Sequence, residues 1–179
     1  MALLAMMLRV LLAALFSRAA WHKWQDWQSF AREISAYQLL PVALLVPVAQ
    51  ALIAAETLCV LLLFVHNAGL LLAALLLLLY AGAMAINVLR GRTQIDCGCA
   101  GSHSARTTIS WWLVVRNILL ATLALLAASL SLTYFSLISM PIIAAGSISS
   151  ILIYEAIDQA LANSQRYRRW LSQQPQPLG

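Results

Sequence analysis

The chain has 179 residues, of which 63% are hydrophobic and only 9% are charged, and its mean hydropathy is +0.85. A soluble globular domain carries roughly a quarter charged residues, so this composition excludes a water-soluble fold and predicts that lipid is the main solvent. The net charge of +5 does not indicate nucleic-acid binding, because no segment clusters basic residues on one face. The 3 cysteines are too few for a disulfide scaffold.

The first predicted membrane span covers residues 3–20, close to the ~20 apolar residues that cross a bilayer as a helix. A cleaved signal peptide is the alternative, but Arg18 beside the would-be cleavage point argues against it. Residues 21–36 instead place apolar side chains on one helical stripe among charged residues, which predicts an interfacial amphipathic helix. Tryptophans here and at a later span predict an aromatic belt at one membrane face: Trp21, Trp24, Trp27, Trp111 and Trp112.

The second and third spans are predicted at residues 40–64 and 68–89. The second tolerates Pro47 because a proline in the first turns of a membrane helix costs little. The third contains no charged residue and stops at a basic sequence in which Gly91 is suited to a left-handed helix cap. Both segments are long and apolar enough for a helix that crosses the membrane.

The uncharged stretch 117–154 is too long for a single crossing, since one helix of this length would extend about 57 Å against a hydrocarbon core of ~30 Å. It predicts two spans, at residues 110–132 and 135–157, with a turn near 131–136. Pro141 offers a competing break, so a bundle of four spans remains an alternative to one of five.

Residues 164–179 form a polar tail with two prolines, which predicts disorder. The sequence therefore predicts an all-α fold, a polytopic membrane helix bundle of four to five transmembrane helices with an interfacial amphipathic helix after the first span. The bundle is expected to form a single domain over residues 1–163.

The segment between the third and fourth spans holds the only paired thiols, Cys97 and Cys99, separated by Gly98. A disulfide needs Cα atoms within roughly 4.4 to 6.8 Å, and glycine makes the required turn accessible at little steric cost. Such a disulfide is strained and exposed, which favours an oxidising potential and exchange with another dithiol. Neighbouring basic residues favour the thiolate, although Asp96 opposes them; the basic residues are Arg90, Arg92 and Arg106.

Metal capture is a rival use of this segment. Cys97, Cys99 and His103 could bind a soft metal such as mercury or copper, with Asp96 as a fourth ligand. Structural zinc sites more often show separated ligand pairs, which makes this spacing less typical. A third interpretation is that both thiols only pack the loop.

Glu56 is the ionisable residue expected deepest in the membrane, and such a residue is a functional candidate by default because its burial is costly. The alternative is a structural ion pair with Arg116 or Arg9. Cys59, one turn further along the same helix, is predicted to be a small packing residue. Polar side chains that could join Glu56 by interhelical hydrogen bonds are Asn87, Gln50 and Asn117.

These residues, taken in order, are similar to those of the MauE family of methylamine utilisation membrane proteins, within the wider DoxX-like group. The segments that carry the resemblance are Phe16 to Lys23, Phe30, Tyr37-Gln38-Leu39-Leu40-Pro41, Glu56, Asn87, Arg90-Gly91-Arg92, Ile95-Asp96-Cys97-Gly98-Cys99-Ala100-Gly101 and Ile109 to Asn117. The family pattern usually has an aromatic residue where Ala100 stands. The resemblance covers roughly residues 8–121.

The resemblance implies a multi-pass protein of the bacterial inner (cytoplasmic) membrane that helps a periplasmic amine (methylamine) dehydrogenase to mature. Cys97 and Cys99 would be the redox pair, with Gly98 as the turn and Glu56 and Arg116 as intramembrane polar support. The implied partners are a thioredoxin-like disulfide oxidoreductase and the disulfide-rich small subunit of the dehydrogenase as client. The protein would be a thiol–disulfide oxidoreductase or an accessory to one.

A quinone acceptor is suggested only by analogy with membrane thiol oxidases of similar architecture. Two further functions remain open beside disulfide formation: soft-metal binding or transport through Cys97, Cys99 and His103, and a non-catalytic membrane scaffold.

The distribution of basic residues predicts an orientation at odds with that role. With five spans, nine basic residues fall on the side of the Cys97 segment and none falls on the other side, and the positive-inside rule assigns their side to the cytoplasm. These residues are Arg18, Lys23, Arg32, Arg90, Arg92, Arg106, Arg166, Arg168 and Arg169. Disulfide formation for a periplasmic client requires the opposite side. Both orientations therefore stay open at the level of sequence.

Overall fold

A computed structural model of the chain describes residues 2–93 and 109–129, together with helical positions 146, 148, 149, 152–154, 156, 157, 159, 160, 163 and 164. The first two ranges form α1 (Ala2–Gln25), α2 (Trp27–Tyr37), α3 (Val42–Val65), α4 (Ala68–Leu89) and α5 (Trp111–Ala128). These described residues include no strand. Four of the helices, α1, α3, α4 and α5, are long and apolar enough to cross a membrane. The predicted all-α membrane helix bundle is thus confirmed.

Several sequence predictions fall outside the described residues. The turn near 131–136 lies there entirely, as do residues 94–108, which carry the paired cysteines and are called the thiol segment below. The fifth span, predicted at 135–157, lies there in large part. The polar tail is described only at its first position, 164.

The first helix is longer than predicted, because it continues to Gln25 instead of ending near residue 20. The break comes at Asp26, whose carboxylate accepts a 2.9 Å hydrogen bond from the Ser29 N–H and so caps the start of α2. This backbone hydrogen bond lowers the pKa of the exposed Asp26 carboxyl. Residues 21–25, predicted on the amphipathic helix, therefore belong to α1.

The amphipathic helix is α2, and its apolar face lies on protein. Phe30 packs with Ala49 and Ile53 of α3, and Ala31 and Ile34 flank this contact. The helix ends at Gln38, whose backbone is left-handed with φ of 49°, and Pro41 then precedes α3. Pro41 explains the start of α3, since proline lacks the N–H that the start of a helix leaves unpaired.

A tight turn joins α3 to α4, and Arg9 of α1 fastens it. The Arg9 guanidinium donates hydrogen bonds to the Leu63 carbonyl, at 3.1 Å, and to the Asn67 side-chain oxygen. Gly69 lies so close to the backbone of Leu62 and Leu63 that a Cβ atom there would overlap it. The α3–α4 pair is therefore an antiparallel hairpin whose close approach depends on glycine. This end of the bundle is called the turn end below.

The opposite end of α4 is closed by the predicted glycine cap. Gly91 has φ of 71°, and its N–H donates to the Val88 carbonyl at 3.0 Å. The Arg92 N–H donates to the Asn87 carbonyl at 2.9 Å. Together these bonds form a Schellman motif, which satisfies carbonyls that the end of a helix leaves unpaired. This end, from which the chain continues to the thiol segment, is called the loop end.

Two clusters of buried side chains join the helices. Near the loop end, Ala81 and Met84 of α4 pack with Leu113 and Val114 of α5. Towards the turn end, the larger cluster combines side chains of α1, α3, α4 and α5. Residues early in α4 pack with residues late in α5, so these two helices are antiparallel. The outer surface is apolar, as expected of a bundle in lipid, with exposed residues such as Val42, Leu61, Val65, Leu75, Leu89 and Leu126.

Candidate functional site

A buried cluster of polar side chains lies in the interior of the bundle around Glu56. Glu56 is completely buried on α3. Measured along the helix axis, it lies about 14 Å from the end of α3 and about 21 Å from its beginning. The carboxyl group therefore occupies the depth at which an ionisable residue is most costly in a membrane.

Lys23 and Tyr80 both donate hydrogen bonds to the same carboxylate oxygen of Glu56. The Lys23 ammonium forms an ion pair with Oε1, and the Tyr80 hydroxyl donates to Oε1 as well. The ammonium also lies 3.2 Å from the Tyr80 oxygen and 4.5 Å from the centre of the Phe30 ring. The three hydrogens of the ammonium are thus met by two oxygens and an aromatic face.

The second carboxylate oxygen of Glu56, Oε2, is buried and has no hydrogen-bond partner among the residues that the structure describes. Beside Glu56 is a cavity of about 80 Å³. Its polar lining is Lys23, Glu56, Tyr80, Arg116, Asn117 and Tyr154, and the remaining lining residues are apolar. The Arg116 guanidinium stacks on the Tyr154 ring at 5.4 Å. Four membrane helices and the helical residues near 154 therefore converge on one cavity.

The ion-pair partner of Glu56 is neither of the two residues proposed from the sequence, Arg9 and Arg116. Arg9 binds the turn end instead, and Arg116 shares the cavity with Glu56, whose ion-pair partner is Lys23. The reason is the extra length of α1, which carries Lys23 as part of a helix packed inside the bundle. Lys23 is 5% exposed and so does not act as a charge at headgroup level.

Sequence reasoning missed Lys23 and Tyr80 as members of this cluster. A signal was present for Lys23, because Leu12, Phe16 and Ala20 form a stripe at helical spacing that Lys23 continues. The whole stripe is buried. Tyr80 gave no such signal, since a tyrosine within an apolar helix is equally common as a packing residue.

The other polar candidates are placed separately. Asn87 is buried near the loop end and donates to the Ala83 carbonyl at 3.1 Å. Gln50 lies on the exposed face of α3. The Cys59 thiol is fully buried and donates to the Gly69 carbonyl at 3.6 Å, an arrangement that fits the packing role expected for it. Only Asn117 joins Glu56 at the cavity.

The thiol pair and its neighbours, Cys97, Gly98, Cys99 and His103, lie outside the described residues. The helices on either side of them are described, and these are the same helices that supply part of the polar cluster. Along the helix axes, Tyr80 lies about 14 Å from the end of α4 and Arg116 about 8 Å from the start of α5. The polar cluster is thus about one and a half to two and a half helical turns below the point where the thiol segment attaches.

The cavity does not fit the quinone that analogy suggested. An apolar cavity that holds benzene measures roughly 150 Å³, whereas this one measures about 80 Å³. A quinone ring carries additional oxygens and needs still more room. This cavity therefore supplies no quinone site among the residues that the structure describes.

Comparison with known proteins identifies the family. The profile of the family described as "Methylamine utilisation protein MauE" matches residues 1–130. The chain belongs to the MauE family. It is 44% identical to the methylamine utilization protein MauE of Paracoccus denitrificans over 128 residues. The aligned region covers 68% of this chain and 67% of that protein. The MauE of Methylophilus methylotrophus is 33% identical over 159 residues, with 86% and 84% covered.

The MauE resemblance recognised in the sequence is thus confirmed. No solved structure shows significant similarity to the chain. Family membership and the four membrane-spanning helices make this MauE-family chain a multi-pass membrane protein.

Proposed function

We propose that this MauE-family protein acts in methylamine utilisation as a bacterial inner-membrane factor for maturation of a periplasmic amine dehydrogenase. In this proposal it supports disulfide formation in the small subunit of the dehydrogenase through Cys97 and Cys99. A thioredoxin-like protein is its redox partner. The observation that carries the proposal is the family match over residues 1–130, a range that includes the Cys97-Gly98-Cys99 segment.

The proposed reaction is thiol–disulfide exchange. A dithiol of the thioredoxin-like partner attacks the Cys97–Cys99 disulfide, a mixed disulfide forms, and the second partner thiol releases the reduced pair. The partner loses two electrons and two protons and gains a disulfide, which it passes to the client. Reoxidation of Cys97 and Cys99 then requires a disulfide-bearing or other two-electron oxidant in the membrane or periplasm.

Features of the described residues support this chemistry. The Schellman motif at Gly91 ends α4 cleanly, and α5 packs antiparallel to α4, so the thiol segment leaves and re-enters the bundle at one end. Arg90 and Arg92 at the end of α4 favour the thiolate of a nearby cysteine, which is the reactive form.

Single serine substitutions test the proposal. Cys97→Ser and Cys99→Ser should each abolish formation of the client's disulfides, read by mass spectrometry of the alkylated small subunit, while the membrane level of the protein stays normal. Cys59→Ala is the matched control, because this thiol is buried in the bundle and takes no part in the exchange. Full client oxidation in both serine variants would refute the redox role and favour a scaffold. Loss of soft-metal binding with the client disulfides intact would favour metal capture.

Maleimide labelling in intact cells tests the orientation. A thiol pair that is blocked until reduced, and then reacts with a membrane-impermeant maleimide, is an extracytoplasmic disulfide as the proposal requires. Thiols that react without reduction, and only with a permeant maleimide, would place the segment in the cytoplasm and overturn the proposal.

A further inference from the structure

The second carboxylate oxygen of Glu56 points to a ligand that no part of the proposed thiol chemistry uses. Oε1 accepts from both Lys23 and Tyr80. Oε2 belongs to a residue with 0% exposure and has no partner among the described residues. A buried acceptor without a donor carries a cost in free energy, and this cost is larger when the group is charged. Because Glu56 lines the cavity, a donor there removes this cost.

The charges around the cavity decide the class of that donor. Lys23 and Arg116 both line it, so a cation such as an alkylammonium ion would be repelled. A fully deprotonated anion would be attracted by Lys23 and Arg116, but it has no hydrogen to donate to Oε2 and so leaves this acceptor unpaired. The ligand is therefore a neutral hydrogen-bond donor.

The volume of the cavity decides the size of the ligand. One water molecule requires roughly 10–15 Å³ of cavity volume, and a benzene-sized ligand roughly 150 Å³. The cavity of about 80 Å³ fits a cluster of several water molecules and no aromatic ring. Buried water also needs two to four polar partners, as a rule of thumb. Besides Oε2, the lining offers the polar side chains of Arg116 and Asn117.

We infer that the cavity is a water-binding site in the membrane interior, where a water cluster donates to Glu56 Oε2. Among the residues that the structure describes, the titratable and charged groups that face the cavity besides Glu56 are Lys23 from α1, Tyr80 from α4, Arg116 from α5 and Tyr154. This inference is independent of the thiol pair, since it rests only on residues of the bundle.

Radiolytic footprinting tests the inference, because hydroxyl radicals formed from bound water oxidise the side chains beside it. Leu77 and Leu120 line the cavity, whereas Leu76 and Leu113 are buried outside its lining, so residue type is matched and burial nearly so, with exposed fractions of 7% and 8% against 4% and 5%. In the protein reconstituted in lipid vesicles, the first two leucines should be oxidised several-fold faster than the other two. Equal rates would overturn the inference.

Filling the cavity provides the matched variant. Ala19→Leu adds a larger apolar side chain to the cavity wall and leaves the Lys23–Glu56 pair intact. Ala14→Leu places the same change on α1 away from the cavity. Oxidation of Leu77 should fall several-fold in the first variant and stay unchanged in the second. Oxidation that persists in Ala19→Leu would refute the site.

Discussion

Replacement of Lys23 by methionine leaves the Glu56 carboxylate buried without its counter-ion, although the apolar stem of the side chain is kept. Both partners are buried, with exposures of 5% and 0%, so solvent screening does not weaken the effect. Loss of one member of a buried ion pair typically costs about 3–5 kcal/mol. We therefore expect Lys23→Met to lower the free energy of unfolding by about that amount, and Glu56→Leu to do the same.

The double variant separates the ion pair from simple packing. With both charges removed, no charge is left buried, and such apolar replacements are often neutral or even stabilising by about 1–4 kcal/mol. The expected coupling energy is thus as large as the two single losses together, about 6–10 kcal/mol. Tyr80→Phe should cost less, about 1.5–3 kcal/mol, because it removes the hydroxyl that donates to Glu56 and accepts from Lys23 but leaves the ion pair in place.

The assay is reversible unfolding of the purified protein in mixed micelles, followed by circular dichroism as the fraction of denaturing detergent rises. All four members of the cycle are measured under the same conditions. Single variants that lose less than about 1 kcal/mol, with a double variant equal to their sum, would refute the assignment of Lys23 as the counter-ion of Glu56.

Other predictions concern the turn end and the start of α2. Gly69→Ala should destabilise by about 1–3 kcal/mol because its Cβ meets the α3 backbone; Gly82→Ala, with open space around it, should stabilise by about 0.5–1 kcal/mol in the same assay. Arg9→Leu should cost about 1.5–3 kcal/mol through the lost bonds to Leu63 and Asn67; a loss within error would contradict this. The lowered pKa of Asp26 means that its cap stabilises α2 above the unfolded pKa of about 4 and is lost as pH falls through the lower folded value. Asp26→Asn should remove this pH dependence of helicity, and an unchanged acid transition would contradict it.

Features that depend on local sequence were predictable. The α4 helix matches the predicted span 68–89. A long apolar run with turn residues at both ends fixes where a membrane helix begins and ends. Gly91 was predicted as a left-handed cap because only glycine adopts that conformation without strain. The end of α1 was misplaced, since Trp21 to Gln25 resemble interfacial sequence and only the cap at Asp26 sets the boundary.

The partner of Glu56 was not predictable from the sequence. Glu56 itself was identified as a buried polar residue, because any acid within an apolar span is conspicuous. Several basic residues were candidates for the ion pair with Glu56, and hydropathy does not distinguish between them. Arg9 is taken by the turn between α3 and α4, and Arg116 stacks on Tyr154. The choice of Lys23 depends on how α1 packs against α3.

The sequence alone determined that this protein is a multi-pass helical membrane protein of the MauE family, because hydropathy, helix length and motif order are properties of the chain itself. The tertiary structure decided that Lys23, Glu56 and Tyr80 meet, and that Glu56 lines a cavity. Such contacts join residues far apart in the chain, and a few ångströms of helix packing select them among partners of equal chemistry.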